Sequence, residues 1–431
     1  MVAGLASAGT SGHIVLVLQV PLAERDYQRF GIATFLSRGY RVSVIEAGPL
    51  LHPEVPQDRS LYSTLRNVSI TIVANRRELA RTLPVLQSAD AIINLTESGY
   101  VSPRNLHVFR LLRRSGRPWV SCAANAFPGA DRYRGGSHSL LARIRDALSR
   151  WREIRLLGSL IARLPPSWLG VPSPSFLVVG GRKSLRGRLA DAHTQEIRAH
   201  AMDYDIYLQE AAVDRPERAV AVFIDEYRPY HRDMLEMGYE SIVEPGAYFT
   251  KLRALFDRVE SEFGLRVVIA ASPRSDYSDK PGVFGEREIV RSKTASLIGS
   301  SRLVLAHRST AIAFAILFNK PVLQIATRDN YEHSTQRPYF DAFAEVLGKP
   351  IAFYDDPAAV DLEGAMSIDD ECYRSYRRDF VKQDGSPERL YWDLVLDALA
   401  AAGVFSDAGP RSALPSHAEA PVRGVTEGVP S

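Results

Sequence analysis

Four consecutive polar residues, His307, Arg308, Ser309 and Thr310, have side chains suited to binding an anion. Apolar residues 303–306 precede them and small apolar residues follow, a pattern that predicts a strand, a sharp elbow and a helix. Free backbone N–H groups and the helix dipole attract anions at such an elbow. The segment therefore predicts a phosphate site formed by Arg308, Ser309 and Thr310. For the two hydroxyls a plain helix N-cap is the alternative.

A pair of carboxylates, Asp225 and Glu226, comes directly after the apolar run 219–224. A carboxylate at that position can take a proton from an acceptor hydroxyl, and its pKa rises if the site is dry. His307 is a third catalytic candidate, because an imidazole can donate or accept a proton near neutral pH. The alternative for the two carboxylates is a turn or cap that ends the strand.

Ser272 and Arg274 follow the apolar run 266–271. A guanidinium can bind a phosphate or a carboxylate through two parallel hydrogen bonds, so these residues are further candidates for the phosphate site. A surface ion pair is the alternative for Arg274. Because the C-terminal ends of parallel strands share one edge of a sheet, these residues, the carboxylates and the elbow are expected to meet.

The first half of the chain carries polar residues at equivalent positions. Arg25 and Arg29 follow the first apolar run of the chain, and Glu97 and Ser98 follow a later one. By the same argument they are expected at the edge of a first sheet, where they would bind the second substrate. For Arg29 the alternative is packing on its own helix.

Apolar runs alternate with segments of helical periodicity along most of the chain, which predicts sheets wound with helices. The fold class is therefore α/β, with two Rossmann-like domains facing a cleft. The predicted domains are 13–213 and 218–403, between disordered ends at 1–12 and 404–431. Predicted strands are 13–20, 41–46, 68–73, 89–95, 118–122, 176–180 and 205–208 in the first domain, then 219–224, 266–271, 303–306 and 322–325 in the second.

Residues 131–170 interrupt this alternation. They are rich in arginine and leucine, with apolar residues at helical spacing and arginines largely between them. A basic amphipathic helix of this kind can lie on an anionic membrane surface. Packing against its own domain is the alternative.

The composition argues against several classes of protein. The 431 residues are 45% hydrophobic and 24% charged, as in a soluble globular protein, and the net charge of +3 gives no case for nucleic acid. Two cysteines argue against a disulfide framework or a cysteine-based metal site. No secretory signal and no apolar run of membrane-spanning length is found, so a cytoplasmic location is expected. The triplet Asp203-Tyr204-Asp205 is interpreted as a chance match to a metal-binding motif.

Three stretches resemble the two-domain GT-B glycosyltransferases of bacterial surface-polysaccharide gene clusters. They are RDYQRFGIATFLSRGYRVSVIEAGPLLHP, FIDEYRPYH, and IAASPRSDY followed by VLAHRSTAIAFAILFNKPV. The last two are similar to bacterial sialyltransferases and polysialyltransferases, which carry an acidic pair, a His-Pro dipeptide and a Ser-Ser/Thr dipeptide. Asp225-Glu226 and Ser309-Thr310 match two of these motifs, whereas Ser272-Pro273 stands at the third. Arg274 or His307 would then supply the missing cation or proton donor.

The resemblance implies a metal-independent glycosyltransferase of bacterial envelope polysaccharide synthesis, without a cofactor. Its co-substrate, a nucleotide-sugar donor, would bind the C-terminal domain, and a glycan or lipid-linked acceptor would bind the N-terminal domain. The enzyme would work in the cytoplasm or at the inner face of the cell membrane, docked through 131–170. Two other functions remain open: a nucleotide-sugar 2-epimerase on the same plan, and a non-catalytic, membrane-associated assembly factor.

Overall fold

The computed structural model describes residues 12–53, 59–96, 101–129, 164–184, 189–230, 243–272, 275–333 and 336–405 of the 431-residue chain. Within them lie two parallel β-sheets whose strands alternate with helices. The predicted α/β class with two Rossmann-like halves is confirmed. The basic amphipathic segment predicted at 131–170 lies outside the described residues, apart from 164–170.

The first sheet has seven strands: β1 (His13–Leu18), β2 (Arg41–Glu46), β3 (Val68–Ile72), β4 (Ala91–Leu95), β5 (Trp119–Cys122), β6 (Phe176–Val179) and β7 (Gln195–Arg198). They run parallel in the order β3-β2-β1-β4-β5-β6-β7. Every residue of β1 is buried, as expected of a central strand covered on both faces. The helices of this half are α1 (Glu24–Arg29), α2 (Ile32–Ser37), α3 (Gly48–Leu51), α4 (Arg76–Arg81), α5 (Leu83–Gln87) and α6 (Leu106–Ser115).

The second sheet has six strands: β8 (Val220–Ile224), β9 (Arg266–Ala271), β10 (Ile289–Arg291), β11 (Leu303–Ala306), β12 (Val322–Ala326) and β13 (Ala352–Phe353). They run parallel in the order β10-β9-β8-β11-β12-β13. The helices that follow the first sheet are α7 (Tyr204–Ala211), α8 (Pro245–Phe263), α9 (Thr294–Ser300), α10 (Ile312–Leu317), α11 (Arg328–Glu332), α12 (Arg337–Leu347), α13 (Asp370–Tyr376) and α14 (Tyr391–Ala401).

The strand predicted at 205–208 is wrong, because these residues belong to helix α7. Tyr204, Tyr207 and Leu208 are spaced three and four residues apart and therefore share one face of the helix. That face packs into the core of the second sheet. A run of four residues is too short for its periodicity to separate a strand from a turn of helix.

The last helix, α14, lies within the range predicted for the second domain but packs in the core of the first sheet. Trp392 is buried there, with its ring centroid 5.1 Å from that of Phe35, and its indole N–H donates to the carbonyl of Arg29 at 2.8 Å. Phe405, predicted to lie in a disordered tail, packs against Tyr40 at 4.8 Å between ring centroids. The ordered chain therefore extends beyond the predicted boundary at 403.

Candidate functional site

The second sheet reverses its strand order at β8. Strands β9 and β10 lie on one side of β8, and β11, β12 and β13 lie on the other. The loops after β8 and β11 therefore leave the sheet in opposite directions and open a crevice, the usual ligand site of such sheets. Glu226 and Arg308, predicted separately from the sequence, follow these two strands and meet at this crevice.

Glu226 joins the two loops. Its Oε1 accepts the backbone N–H of Arg308 at 2.9 Å, and its Oε2 lies 2.8 Å from Nη2 of Arg228. Burial alone would raise the pKa of this carboxyl, but the charges of Arg228 and Arg308 and the backbone hydrogen bond lower it to about 2. Glu226 is therefore a permanent anion that holds two arginines, and it is a weak base.

Side chains from α11, α12 and their flanking residues support the two arginines. Nη1 of Arg228 donates to Oδ1 of Asn330 at 2.9 Å, and Nε of Arg308 donates to Oε1 of Gln336 at 2.6 Å. The Arg308 guanidinium also lies 5.2 Å from the ring centroid of Tyr339, within cation–π range. The two cations are thus held in fixed positions on one wall of the crevice.

Two positive charges lie close together in the crevice. Glu226 contacts the side chain of Arg228 and the backbone N–H of Arg308, and burial together with the charge of Arg228 lowers the pKa of Arg308. Among the described residues the terminal nitrogens of Arg308 have no acceptor, and the side chain is only partly buried. A second anion would relieve the repulsion between the two arginines, so this wall is suited to bind one.

Ser309 and Thr310 lie in the turn next to Arg308. Thr310 is exposed, and Oγ of Ser309 accepts the backbone N–H of Ala311 at 3.2 Å within the turn. The helix N-cap is Ala311, and among the described residues no side chain caps it, so the capping alternative is not supported. The helix begins at Ile312 and has only six residues, so it is shorter than the predicted 311–318. Its dipole is correspondingly small, and the arginines rather than the helix dominate the electrostatics of the turn.

Asp225 is buried, with 2% of its surface exposed, and both of its carboxylate oxygens are occupied. Oδ1 accepts the backbone N–H of Tyr227 at 2.9 Å, and Oδ2 accepts the hydroxyl of Tyr277 at 2.8 Å. Burial raises the pKa of this carboxyl to about 6, and the hydrogen bonds oppose that rise only in part. Asp225 therefore ties the loop after β8 to the loop after β9.

This raised pKa gives an expected stability difference between the wild-type protein and Asp225→Asn. The unfolded carboxyl ionises near pH 3.8 and the folded one near pH 6, so its contribution to stability is present below pH 3.8 and is lost as the pH rises through 6. From pH 4 to pH 8 the wild type should lose up to roughly 3 kcal/mol relative to the variant. Urea unfolding of both proteins across that range measures it, and parallel stability curves would contradict the assigned pKa.

His307 lies beneath the crevice rather than in it. Its surface is 0% exposed, its Nε2 lies 3.1 Å from the hydroxyl of Tyr354, and its ring stacks on Tyr248 at 5.9 Å. Burial lowers its pKa well below 6.5, so the ring is neutral. This position favours packing over proton transfer, and the catalytic role of His307 stays a prediction without support from its geometry.

Several predicted residues cannot be placed. Glu97, Ser98 and Arg274 lie outside the described residues, as does the side chain of Arg25. Ser272 follows β9 directly, and its carbonyl accepts the backbone N–H of Ser275 at 2.9 Å.

The first sheet has a pocket at the C-terminal ends of β4 and β5, beside the end of α1. The pocket has a volume of about 210 Å³, and Arg29 lies on its wall. Nη2 of Arg29 lies 3.3 Å from Oδ1 of Asp203, while its buried Nε has no partner among the described residues. The other lining residues are Phe30, Leu95, Cys122, Ala123, Asn125 and Met202. Arg29 thus reaches the expected sheet edge.

Three residues of the crevice were missed from the sequence: Arg228, Asn330 and Gln336. Arg228 stands two positions after the acidic pair, and that spacing was a signal that could have indicated it. The other two come from α11 and the start of α12, more than a hundred residues later, and only the folded chain brings them near.

Within the described residues no three His, Cys, Asp or Glu side chains come close enough to hold a metal ion. Asp205 of the D-x-D triplet instead accepts the backbone N–H of Tyr391 at 2.9 Å. None of the described helices has the length and apolar character that a membrane span requires.

Neither a protein-family model nor a curated protein matches the sequence. Solved structures with a similar chain course include the calicheamicin glycosyltransferase CalG4, at 13% identity and a TM-score of 0.46 over 91% of this chain and 99% of that one. The wall teichoic acid polymerase TagF (H444N variant) has 12% identity and a TM-score of 0.48, covering 92% of this chain and 89% of its own. WaaG, a glycosyltransferase involved in lipopolysaccharide biosynthesis, has 13% identity and a TM-score of 0.44, covering 90% and 100%. At this distance the likeness concerns the fold alone.

Proposed function

We propose that this protein is a glycosyltransferase of bacterial envelope polysaccharide synthesis. It transfers a sugar from a nucleotide-sugar donor to a glycan or lipid-linked acceptor, without a metal ion, on the cytoplasmic side of the cell membrane. The observation that carries the proposal is Arg308, which lies beside a second arginine at the reversal point of the second sheet and whose terminal nitrogens have no acceptor among the described residues. The resemblance of the motifs around residues 225 and 309 to sugar-transferring enzymes supports the same function.

In this proposal Arg308, Ser309 and Thr310 bind the phosphate of the donor, and Ser272 and Arg274 approach it from the neighbouring loop. When the bond between the sugar carbon and the phosphate oxygen breaks, negative charge develops on that oxygen. A guanidinium already in place stabilises this charge without reorganisation. The leaving nucleotide keeps the electron pair, and in this proposal the guanidinium takes the place of a metal ion in balancing the added negative charge.

The acceptor hydroxyl must lose its proton as its oxygen bonds to the sugar carbon. Of the two predicted carboxylates, Asp225 is the better matched to this task, because its pKa of about 6 lies nearer to neutral pH than that of Glu226. To take the proton, Asp225 would exchange the hydrogen bond from Tyr277 for one from the acceptor. Glu226 instead positions Arg308 through its backbone N–H.

The acceptor would bind the first half of the protein, at the pocket where Arg29 lies. That pocket lies at the C-terminal edge of the first sheet, the edge at which parallel sheets bind ligands. Arg25, Glu97 and Ser98 remain predictions for the same side.

A screen of nucleotides tests the proposed function. Thermal unfolding with UDP, GDP, CDP, CMP and dTDP should give a rise in Tm with one base, since a ligand that binds only the folded state stabilises it. The matching nucleotide-sugar should then release its nucleotide only when an acceptor glycan is added. Turnover of the donor alone would indicate the 2-epimerase alternative. No stabilisation by any nucleotide would contradict the proposal and favour the non-catalytic alternative.

A further inference from the structure

The outer face of α6 carries a concentration of positive charge that the crevice does not use. In the described residues 76–96 and 101–117 there are eight arginines and two carboxylates. The whole chain has a net charge of only +3, so this excess is local. The arginines are Arg76, Arg77, Arg81, Arg104, Arg110, Arg113, Arg114 and Arg117, and the carboxylates are Glu78 and Asp90.

Helix α6 presents four of these arginines to solvent. Arg110, Arg113, Arg114 and Arg117 are exposed on or just after the helix, while its other face is buried in the core of the first sheet. None of the four forms an ion pair with a described carboxylate. Cations in the last turn of a helix can simply complement its dipole. That explanation does not cover Arg110, which lies in the middle of the helix.

An exposed tryptophan adjoins these arginines. Trp168 is 78% exposed, and it lies on the short turn Pro166–Leu169, beside the partly exposed Leu164. The turn is held by its own backbone hydrogen bonds, and Nε of Arg110 donates to the carbonyl of Leu169 at 3.2 Å. The indole is therefore presented in a fixed place next to the arginines. Burying it in a partner would recover apolar contact that is lost in water.

We propose that Arg110, Arg113, Arg114 and Arg117, together with Leu164 and Trp168, form a docking surface for an anionic phospholipid bilayer. Arginines near such a surface gain electrostatic attraction, and tryptophan prefers the boundary between headgroups and acyl chains. A single-stranded nucleic acid would also suit arginines beside an aromatic ring, but it needs several rings that stack successive bases. Among the described residues, Trp168 is the one aromatic side chain of this surface, which favours the bilayer.

The proposed surface differs from the membrane segment expected at 131–170, since its charge lies on α6 and only its apolar edge belongs to that segment. It also does not depend on the proposed function, because lipid binding needs no donor or acceptor. A failure of the protein to bind lipid would therefore not contradict the glycosyltransferase proposal, and a failure to bind nucleotide would not contradict the docking surface.

Co-sedimentation of the full chain with vesicles tests this surface. Vesicles of phosphatidylcholine and phosphatidylglycerol in equal parts should retain the protein, and vesicles of phosphatidylcholine alone should not. Reversing two charges, with Arg113→Glu and Arg114→Glu, should lower the partition coefficient at least about twentyfold, taking about fivefold for each charge removed. Arg266→Glu with Arg302→Glu, at exposed positions next to the second sheet, is the matched control and should leave binding unchanged.

The fluorescence of Trp168 gives a second readout. The chain has four tryptophans, of which Trp119 and Trp392 are each 2% exposed. In a Trp151→Phe background, which removes the tryptophan outside the described residues, anionic vesicles should shift the emission of Trp168 to shorter wavelength. Trp168→Ala should weaken vesicle binding, whereas Ile289→Ala, at an exposed apolar residue of β10 in the second sheet, should not.

Three results would overturn this inference. The wild-type protein could fail to bind anionic vesicles, or the arginine and tryptophan variants could bind them as tightly as the wild type does. The same variants could instead lose binding to a single-stranded oligonucleotide measured by fluorescence anisotropy while vesicle binding persists. All the substituted positions that form the surface are at least partly exposed, so equal Tm values would show that the variants are folded.

Discussion

Arg308→Met is expected to lower kcat/KM for sugar transfer by about a hundredfold to a thousandfold, the usual loss for a donor aimed at charge that develops in the transition state. Arg308 lies at the reversal point of the second sheet, where its Nε donates to Gln336 and its terminal nitrogens have no acceptor among the described residues. Arg308→Lys keeps the charge but cannot form two parallel hydrogen bonds, so it should recover only part of the activity. Initial rates with the nucleotide-sugar found by the screen measure both variants.

Arg308→Met should keep the free energy of unfolding within about 1 kcal/mol of the wild-type value or raise it. Residues that serve binding are often strained in the free protein, so their replacement costs little stability. Burial and the nearby Arg228 already disfavour the charge on Arg308, so its removal relieves repulsion. Arg302→Met is the matched control, since Arg302 precedes the same strand and forms only an exposed ion pair with Glu217. If both variants lost activity equally, Arg308 would have no special role.

Gly31→Ala should destabilise the protein by about 3 kcal/mol or more, which combines left-handed backbone strain with overpacking. Gly31 has φ of +78° and separates α1 from α2, where the sequence pattern predicts one continuous helix. A Cβ there would lie 2.5 Å from the ring of Trp392. The substitution therefore pushes α14 out of the first core, and urea unfolding measures the loss.

Gly116→Ala separates the cost of left-handed backbone strain from the cost of overpacking. Gly116 also has a left-handed backbone, with φ of +66°, but a Cβ there meets no atom within 4 Å. It should cost only about 1 kcal/mol of backbone strain. In a Trp392→Leu background, Gly31→Ala should also lower the free energy of unfolding by only about 1 kcal/mol, because the aromatic ring that the Cβ would meet is absent. Equal costs for the two glycines in the wild-type background would mean that α14 does not rest on Gly31.

The sequence predicted strand bounds well where a strand is buried on both faces, because such a strand is an unbroken apolar run. Strands β1, β2, β8, β9 and β11 were therefore predicted close to their observed bounds. The edge strands β7, β10 and β13 were missed, because they have only two to four residues, and these residues are mostly exposed or partly buried. Their sequences therefore lack that signal. The packing of α14 against the first sheet could not be predicted either, because an apolar helix face does not indicate against which sheet the helix packs.

The candidate site was predictable in its loops but not in its roles. Parallel strands place the residues after β8 and β11 at one edge, so Glu226 and Arg308 could be expected to meet. The burial of Asp225 and the position of His307 beneath the crevice could not be predicted from the polarity of these residues. Burial depends on packing against distant residues, here Tyr277 and Tyr248. Roles that depend on exposure and pKa therefore needed the structure.

The most direct test of the central claim is binding measured without turnover. Calorimetric titration of the nucleotide identified by the screen into the wild type, Arg302→Met and Arg308→Met compares the same ligand on three folded proteins. The wild type and Arg302→Met should bind with equal Kd, and Arg308→Met should bind about a hundredfold more weakly, as expected when a charge-assisted phosphate contact is lost. An unchanged Kd for Arg308→Met would contradict the placement of the donor phosphate at this crevice.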